Sequence, residues 1–188
     1  MLSRLVVTAM ILPLAGCVSV ENVWSPTIAV SENGLVSASA KPACTGSYCY
    51  GFDTVISNKT DKPVEIDWNK SYYLLGGQTN GGLMTTGVVI SQRNLLRAPD
   101  MILPKGSYSK PLWPSSFTSL QAGISSIDWV SQQLPDGKQG VYLTFRQGDR
   151  EEYVTLELSN LGLKQTSNSG PAISVMGVNL MNAESPQK

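Results

Sequence analysis

The clearest pattern in the chain is an alternation of apolar and polar residues in its last third. Val141–Arg146 and Tyr153–Leu158 both alternate with a period of two, and the polar, glycine-containing tetrad Gln147–Arg150 lies between them. This arrangement predicts an antiparallel β-hairpin. Val64–Trp68 alternates in the same way after the polar turn Asn58–Pro63, which predicts another hairpin strand with one buried and one solvent-facing side.

Other short segments have the composition of strands, namely Ser71–Leu75, Gly82–Ser91 and Ala172–Leu180. Ala98–Ser116 contains Pro99, Pro104, Pro111 and Pro114, so it is predicted to be a surface crossover or an edge segment in which Tyr108–Leu112 pairs at most briefly. Ile127–Leu134 has the length and pattern for two helical turns. Together these segments predict an all-β fold, a single antiparallel β-sandwich of seven to nine strands.

The N-terminus has the order of a secretory signal. A positive charge at Arg4 precedes the apolar run Leu5–Pro13, which is too short to cross a bilayer as a permanent helix. The next four residues, Leu14, Ala15, Gly16 and Cys17, resemble the lipobox of bacterial lipoproteins. The resemblance implies that signal peptidase II removes residues 1–16, and that Cys17 carries a diacylglyceryl group that holds the protein on a membrane. An ordinary secretory signal is the alternative.

The residues after Cys17 bear on the membrane and on the domain boundaries. An Asp directly after the lipid-bearing Cys would resemble the inner-membrane retention signal of enterobacterial lipoproteins. This chain has Val18 and Ser19 there instead, so we expect the lipid to lie in the periplasmic leaflet of the outer membrane. Residues 17–42 have few charges and no helical stripe, and they are predicted to be a lipidated tether. Two short segments of it, Thr27–Val30 and Leu35–Ala38, could pair as edge strands. The β-sandwich is then expected over residues 43–181, with a C-terminal tail at 182–188.

If Cys17 carries lipid, an even pair of cysteines remains. Cys44 and Cys49 are separated by four residues that include Gly46, so they can reach disulfide distance, and the periplasm is oxidising. We therefore predict a structural disulfide, with free or redox-active thiols as the alternative. A zinc site lacks ligands, because the chain has no histidine.

Composition excludes several classes of function. Without histidine there is no Ser-His-Asp or Cys-His catalytic group. The chain has 14 Lys and Arg residues against 14 Asp and Glu residues, with no basic run, which argues against a nucleic-acid partner. No cofactor or metal is predicted. Glu65 and Asp67 share one strand face, which indicates a solvated face rather than a catalytic pair, and we predict no catalytic residue.

The segment Asn58–Ser71 loosely resembles the strand-turn-strand openings of immunoglobulin-like envelope lipoproteins. That resemblance implies an immunoglobulin-like sandwich and assigns no activity. The candidate binding residues are aromatic side chains in or near predicted loops and strand faces: Tyr72, Tyr108, Trp113 and Trp129.

The sequence therefore predicts a non-catalytic interaction or assembly module that is lipid-anchored at the periplasmic face of the outer membrane. Its expected partner is another envelope protein. The alternatives are a lipoprotein that binds glycan or peptidoglycan and, less favoured, a carboxylate-dependent hydrolase.

Overall fold

Strands follow one another along almost the whole of the chain that the computed structural model describes, residues 18–88, 91, 93–122 and 127–167. The strands are β1 (Val18–Ser25), β2 (Ala29–Glu32), β3 (Val36–Thr45), β4 (Tyr48–Asn58), β5 (Val64–Leu75), β6 (Gln78–Thr85), β7 (Asp100–Ile102), β8 (Ser107–Pro114), β9 (Thr118–Ala122), β10 (Ile127–Ser131), β11 (Gly137–Gln147) and β12 (Arg150–Ser167). A short 3₁₀ helix, Ser115–Phe117, precedes β9. The prediction of an all-β fold is confirmed.

Most of these strands form one antiparallel sheet in the order β1-β12-β11-β5-β6-β8-β4-β3-β2, with β7 paired to β5. The strands β9 and β10 form a separate pair. The sheet curls around the core, where the Phe52 and Tyr73 ring centroids are 6.4 Å apart. Residues 20–164 form one compact unit. The other unit, residues 1–19 and 165–188, contributes only residues 18–19 and 165–167 to the described chain.

Two sequence predictions of local structure are confirmed. The strands β11 and β12 pair from Gln147 opposite Arg150, which leaves Gly148 and Asp149 as the turn. Gly148 has a φ of 62°, a conformation that glycine adopts without steric cost. Cys44 and Cys49 are opposite each other in the β3–β4 hairpin and form a disulfide.

The segment predicted to be a tether is instead part of the sheet. Residues 18–42 form β1, β2 and most of β3, and the side chains of Trp24, Leu35 and Val36 lie in the hydrophobic core. The reason is that β3 does alternate, with Val36, Ala38 and Ala40 facing inward. Small inward-facing side chains give a weak apolar signal but pack closely between strands.

The proline-rich segment also differs from its prediction. The strand β8 lies between β6 and β4 rather than at an edge. Pro111 pairs with β4 beyond the end of the β6 pairing, and Pro114 pairs with β6 beyond the end of the β4 pairing. Each proline therefore has a partner strand on one side only, which is compatible with a residue that has no N–H to donate. The predicted helical turns over Ile127–Leu134 are wrong, because Ile127–Ser131 is strand β10.

Candidate functional site

The structure separates the aromatic residues predicted to bind. Tyr72 is half-buried on β5, and its hydroxyl donates to the Asn69 carbonyl over 3.2 Å. Tyr108 is half-buried on β8, and its hydroxyl donates to Asp100 Oδ2 over 2.8 Å. Burial, and then this hydrogen bond, raise the pKa of Tyr108 above its ordinary value. Tyr108 is thus held by the fold, and Tyr72 is the better placed of the two to meet a ligand.

Of the two tryptophans predicted to bind, the structure describes the side chain of Trp113 alone. Trp113 is only 9% exposed and packs with Met84, so its predicted outward position is wrong. It is buried because it lies in the central strand β8, not in a loop. Trp129 lies on β10 opposite Leu120, and its side chain is outside the described side chains. The lipobox residues Leu14, Ala15 and Gly16, together with Cys17, are also outside the described residues.

Three tyrosines form a row across the outer face of β5, β11 and β12. Tyr142 is opposite Tyr72, and their ring centroids are 6.4 Å apart. On the other side Tyr142 stacks on Tyr153 at 5.1 Å, and Tyr153 is 61% exposed. Sequence reasoning missed Tyr142 and Tyr153, although the period-two pattern of their hairpin places both on the polar face. We call these residues the tyrosine row.

A loop beside Tyr72 combines exposed leucines with arginines. In this arginine loop, residues 93–97, Leu95 is 63% exposed and Leu96 is 89% exposed. The backbone of Arg97 is held by Asn69, which accepts from the Arg97 N–H over 2.9 Å and donates to the Arg97 carbonyl over 2.9 Å. The loop is therefore fixed to β5, and its leucines remain in solvent without local apolar cover.

The two arginines of the loop lack ionic partners among the described residues. The Arg97 guanidinium lies 4.6 Å from the Trp68 ring and donates to the Leu83 carbonyl over 2.8 Å. Arg93 donates to the Thr118 carbonyl over 3.0 Å. In contrast, Arg146 and Arg150 both form ion pairs. Burial lowers the pKa of the Arg97 guanidinium, and the nearby Asp100 carboxylate opposes that shift.

A cavity of about 240 Å³ opens between the arginine loop and β5. Tyr72, Asn69, Arg93 and Arg97 are among the residues that line it, and none of its lining residues is acidic. Cavities that enclose a drug-sized ligand are larger, roughly 300–1,000 Å³. The space is therefore suited to one chemical group of a larger partner, and its charge favours an anionic group.

A second surface lies at the opposite part of the sheet, along the outer face of β3, β4 and β8. An open groove of about 440 Å³ is lined there by Ile28, Val55 and Pro111, and by the Lys41–Asp53 ion pair. The neighbouring β2 has four residues and ends the strand order of the sheet. Such an edge presents backbone groups to which another strand can pair.

The carboxylates considered for catalysis are held in ion pairs. Arg146 approaches Glu65 Oε2 at 3.3 Å and Asp67 Oδ2 at 3.6 Å. Asp67 is 7% exposed, so the prediction that it lies on a solvated face is wrong for this residue. It is buried because a side chain that faces away from the core on β5 is covered there by Arg146. Among the described residues, no group of three His, Cys, Asp or Glu side chains is arranged to hold a metal ion.

Comparison with known proteins gives no family assignment: no family model, curated protein or solved structure matches the chain. Within the described ranges, no helix is both long enough and apolar enough to span a membrane.

Proposed function

We propose that this chain is a lipid-anchored protein of the bacterial cell envelope, whose sheet domain acts as a non-catalytic binding module at the periplasmic face of the outer membrane. The lipobox resemblance at Leu14–Cys17 supports the anchor. The Cys44–Cys49 disulfide is consistent with an oxidising compartment. The proposed immunoglobulin-like sandwich is supported by the way the two halves of the sheet pack on each other through Phe52 and Tyr73.

The observation that carries the binding role is the tyrosine row. Tyr72, Tyr142 and Tyr153 form a continuous aromatic surface on three neighbouring strands, and its outermost ring is largely in solvent. Tyrosine and arginine are enriched among the residues that carry most of the binding energy in protein interfaces. Tyr72 also lines the cavity of the arginine loop, so both residue types meet on one surface. Another envelope protein is therefore the first candidate partner.

Site-specific photo-crosslinking in intact cells tests this partner. A photoreactive amino acid at Tyr153 is expected to crosslink a second protein. The same group at Leu103, which is also well exposed but lies outside the tyrosine row, is expected to give much less product. Recovery of uncrosslinked monomer alone from positions Tyr153 and Tyr142 would argue against a protein partner on this surface.

A glycan or peptidoglycan ligand is the second candidate, and the open face of Tyr153 favours it, because exposed aromatic rings stack on sugars. Sedimentation with purified cell wall tests it. Binding should fall about tenfold for Tyr153→Ala, as expected for the loss of one stacked ring. Tyr48→Ala is a matched control, since Tyr48 is exposed on β4 outside the tyrosine row. If both variants sediment like the wild type, the glycan role is excluded for this surface.

The anchor has its own test. Cys17→Ser should abolish incorporation of labelled fatty acid. A Cys17→Ser variant that still takes up the label would remove the lipoprotein proposal.

A further inference from the structure

The start of β1 limits the distance between the domain and the proposed anchor. The first residue of β1 is Val18, which directly follows Cys17 in the chain. Consecutive Cα atoms are about 3.8 Å apart, so a lipid on Cys17 would hold Val20 within roughly 11 Å of the bilayer surface. The domain would therefore lie against the membrane and not at the end of a long tether.

The contacts of β1 show which end of the sheet this is. Asn22 donates a hydrogen bond to the Ser47 carbonyl in the turn of the β3–β4 hairpin. Two residues further on, the Trp24 ring lies 6.3 Å from Phe52. The chain thus enters at the end of the sheet that carries the Cys44–Cys49 hairpin and runs from there into the core.

The arginine loop is attached near the same end. Arg97 bonds to Leu83, which is opposite Pro114 on β8. Phe52 is opposite Leu112 in the β4–β8 ladder, so continuing this register places Pro114 level with Tyr50, one residue from the disulfide. The loop therefore belongs to the end of the domain that the anchor would hold against the bilayer.

The chemistry of the loop is suited to a bilayer surface. Leu95 and Leu96 are exposed side by side, and an arginine stands on each side of them in the sequence Arg93-Asn94-Leu95-Leu96-Arg97. Arginine binds phosphate through several N–H donors, and most of the donors on both arginines are not used within the described structure. The cavity between the arginines and Tyr72 is lined by no acid that would repel a phosphate.

We propose that the arginine loop is a second membrane contact, in which Leu95 and Leu96 enter the interfacial region of the bilayer that holds the anchor, while Arg93 and Arg97 bind lipid phosphates. This inference rests on the proposed lipid anchor. An anchored chain meets the bilayer continuously, whereas a sugar ligand would leave both leucines without apolar cover. Together, the anchor and the loop fix the orientation of the domain, with the tyrosine row running from Tyr72 beside the loop to Tyr153 further from it.

Lipid-resident quenchers test the proposal in the lipidated full-length protein. With Cys17 acylated and Cys44 bonded to Cys49, Leu96→Cys introduces one free thiol for an environment-sensitive fluorophore. The labelled protein is placed in vesicles of phosphatidylethanolamine and phosphatidylglycerol, with and without lipids that carry a quencher in the acyl chain. We expect a blue-shifted emission that is quenched about twofold by these lipids, as for an interfacial side chain.

Matched variants distinguish a specific membrane contact of the arginine loop from effects that any exposed side chain or any positive charge would produce. A fluorophore at Val55→Cys, on the outer face of β4, should remain water-like and unquenched. Adding Arg93→Gln should weaken quenching at position 96. Lys62→Gln is the charge control, because Lys62 also lacks an ion-pair partner among the described residues. It should leave quenching at position 96 unchanged, because Lys62 lies in the turn before β5 and not in the arginine loop.

The outcomes are distinguishable by fractionation. If the protein stays with the vesicles but position 96 reports water, the loop contact is wrong and the anchor stands. If position 96 becomes shielded only when cell wall or an envelope protein is added, the loop binds that component and the membrane contact is again wrong. If the wild-type protein does not remain with the vesicles, the proposed anchor fails, and the loop inference fails with it.

Discussion

Asn58 should be one of the most costly polar residues to replace. It is buried at the end of β4. Its Nδ2 donates to the carbonyls of Lys62 at 2.8 Å, Ile102 at 3.1 Å and Leu103 at 3.1 Å. Its Oδ1 accepts from the backbone N–H and the hydroxyl of Thr60 at 2.8 and 2.9 Å. One carboxamide thus connects the β4–β5 turn to the segment that follows β7.

Asn58→Ala should lower the free energy of unfolding by about 3 kcal/mol. Those former partners of Asn58 that lie near solvent can form hydrogen bonds to water instead. The net loss is therefore roughly three hydrogen bonds, at about 1 kcal/mol each. Asn58→Asp should cost at least as much, because it keeps the acceptor but directs a carboxylate at three carbonyls. The assay is urea denaturation, read as a change of midpoint at constant slope.

Asn94→Ala is the control, since Asn94 is exposed in the arginine loop and its side chain makes no hydrogen bond to the described residues. It should change stability by less than about 0.5 kcal/mol. An Asn58→Ala protein as stable as the Asn94→Ala protein would refute the assignment of this hydrogen-bond network as a stabilising element.

Three further predictions concern the core, the sheet and the hairpin. Burial raises the pKa of Tyr73, so above about pH 10 the folded chain keeps a proton that the unfolded chain loses. The free energy of unfolding should therefore fall as the pH rises above about 10, and it should fall less steeply for Tyr73→Phe. Gly140→Ala should destabilise by several kcal/mol, because its Cβ would overlap the Leu156 carbonyl, whereas at Gly82 the nearest atom is 3.7 Å away and Ala should be tolerated. Replacing the disulfide cysteines with Ser should cost about 2 kcal/mol, the value for closing so short a loop.

Each of these has a result that would contradict it. Identical slopes of stability against pH for wild type and Tyr73→Phe would mean that this hydroxyl is accessible to base. Equal denaturation midpoints for Gly140→Ala and Gly82→Ala would mean that β11 and β12 do not pack as closely as described. Unchanged stability in the presence of a reducing agent would show that the hairpin keeps its geometry without the covalent bond.

Features that depend on neighbouring residues could be predicted from the sequence. The β11–β12 hairpin follows from alternation on both sides of a glycine turn, and all of that information lies within the 18 residues Val141–Leu158. The Cys44–Cys49 disulfide is similarly local. In both cases the pairing partners are close in the chain, so composition and spacing determine them.

Features that depend on distant pairing could not be predicted. The pattern of residues 18–42 indicates at most two short edge strands, and the full strands form because β3 pairs with β4 and β1 lies beside β12 at the far end of the chain. Trp113 is buried because β8 lies between β6 and β4, an order that the prolines conceal.

The arginine loop was missed for a related reason. Neither Arg93 nor Arg97 forms an ion pair with a described residue, and no acid lines the cavity beside them. These are properties of three-dimensional placement, and a balanced overall charge does not reveal them.

The position of β1 also constrains how the protein can be made. Its neighbour in the sheet, β12, begins about 125 residues after β1 ends, whereas β3 and β4 pair across a short turn. Contacts over such long separations form late in folding. If the chain is exported as we propose, the strand next to the proposed lipid must therefore remain unpaired until the last part of the chain has crossed the membrane, and a chain that stops before Arg150 would leave that strand open to aggregation.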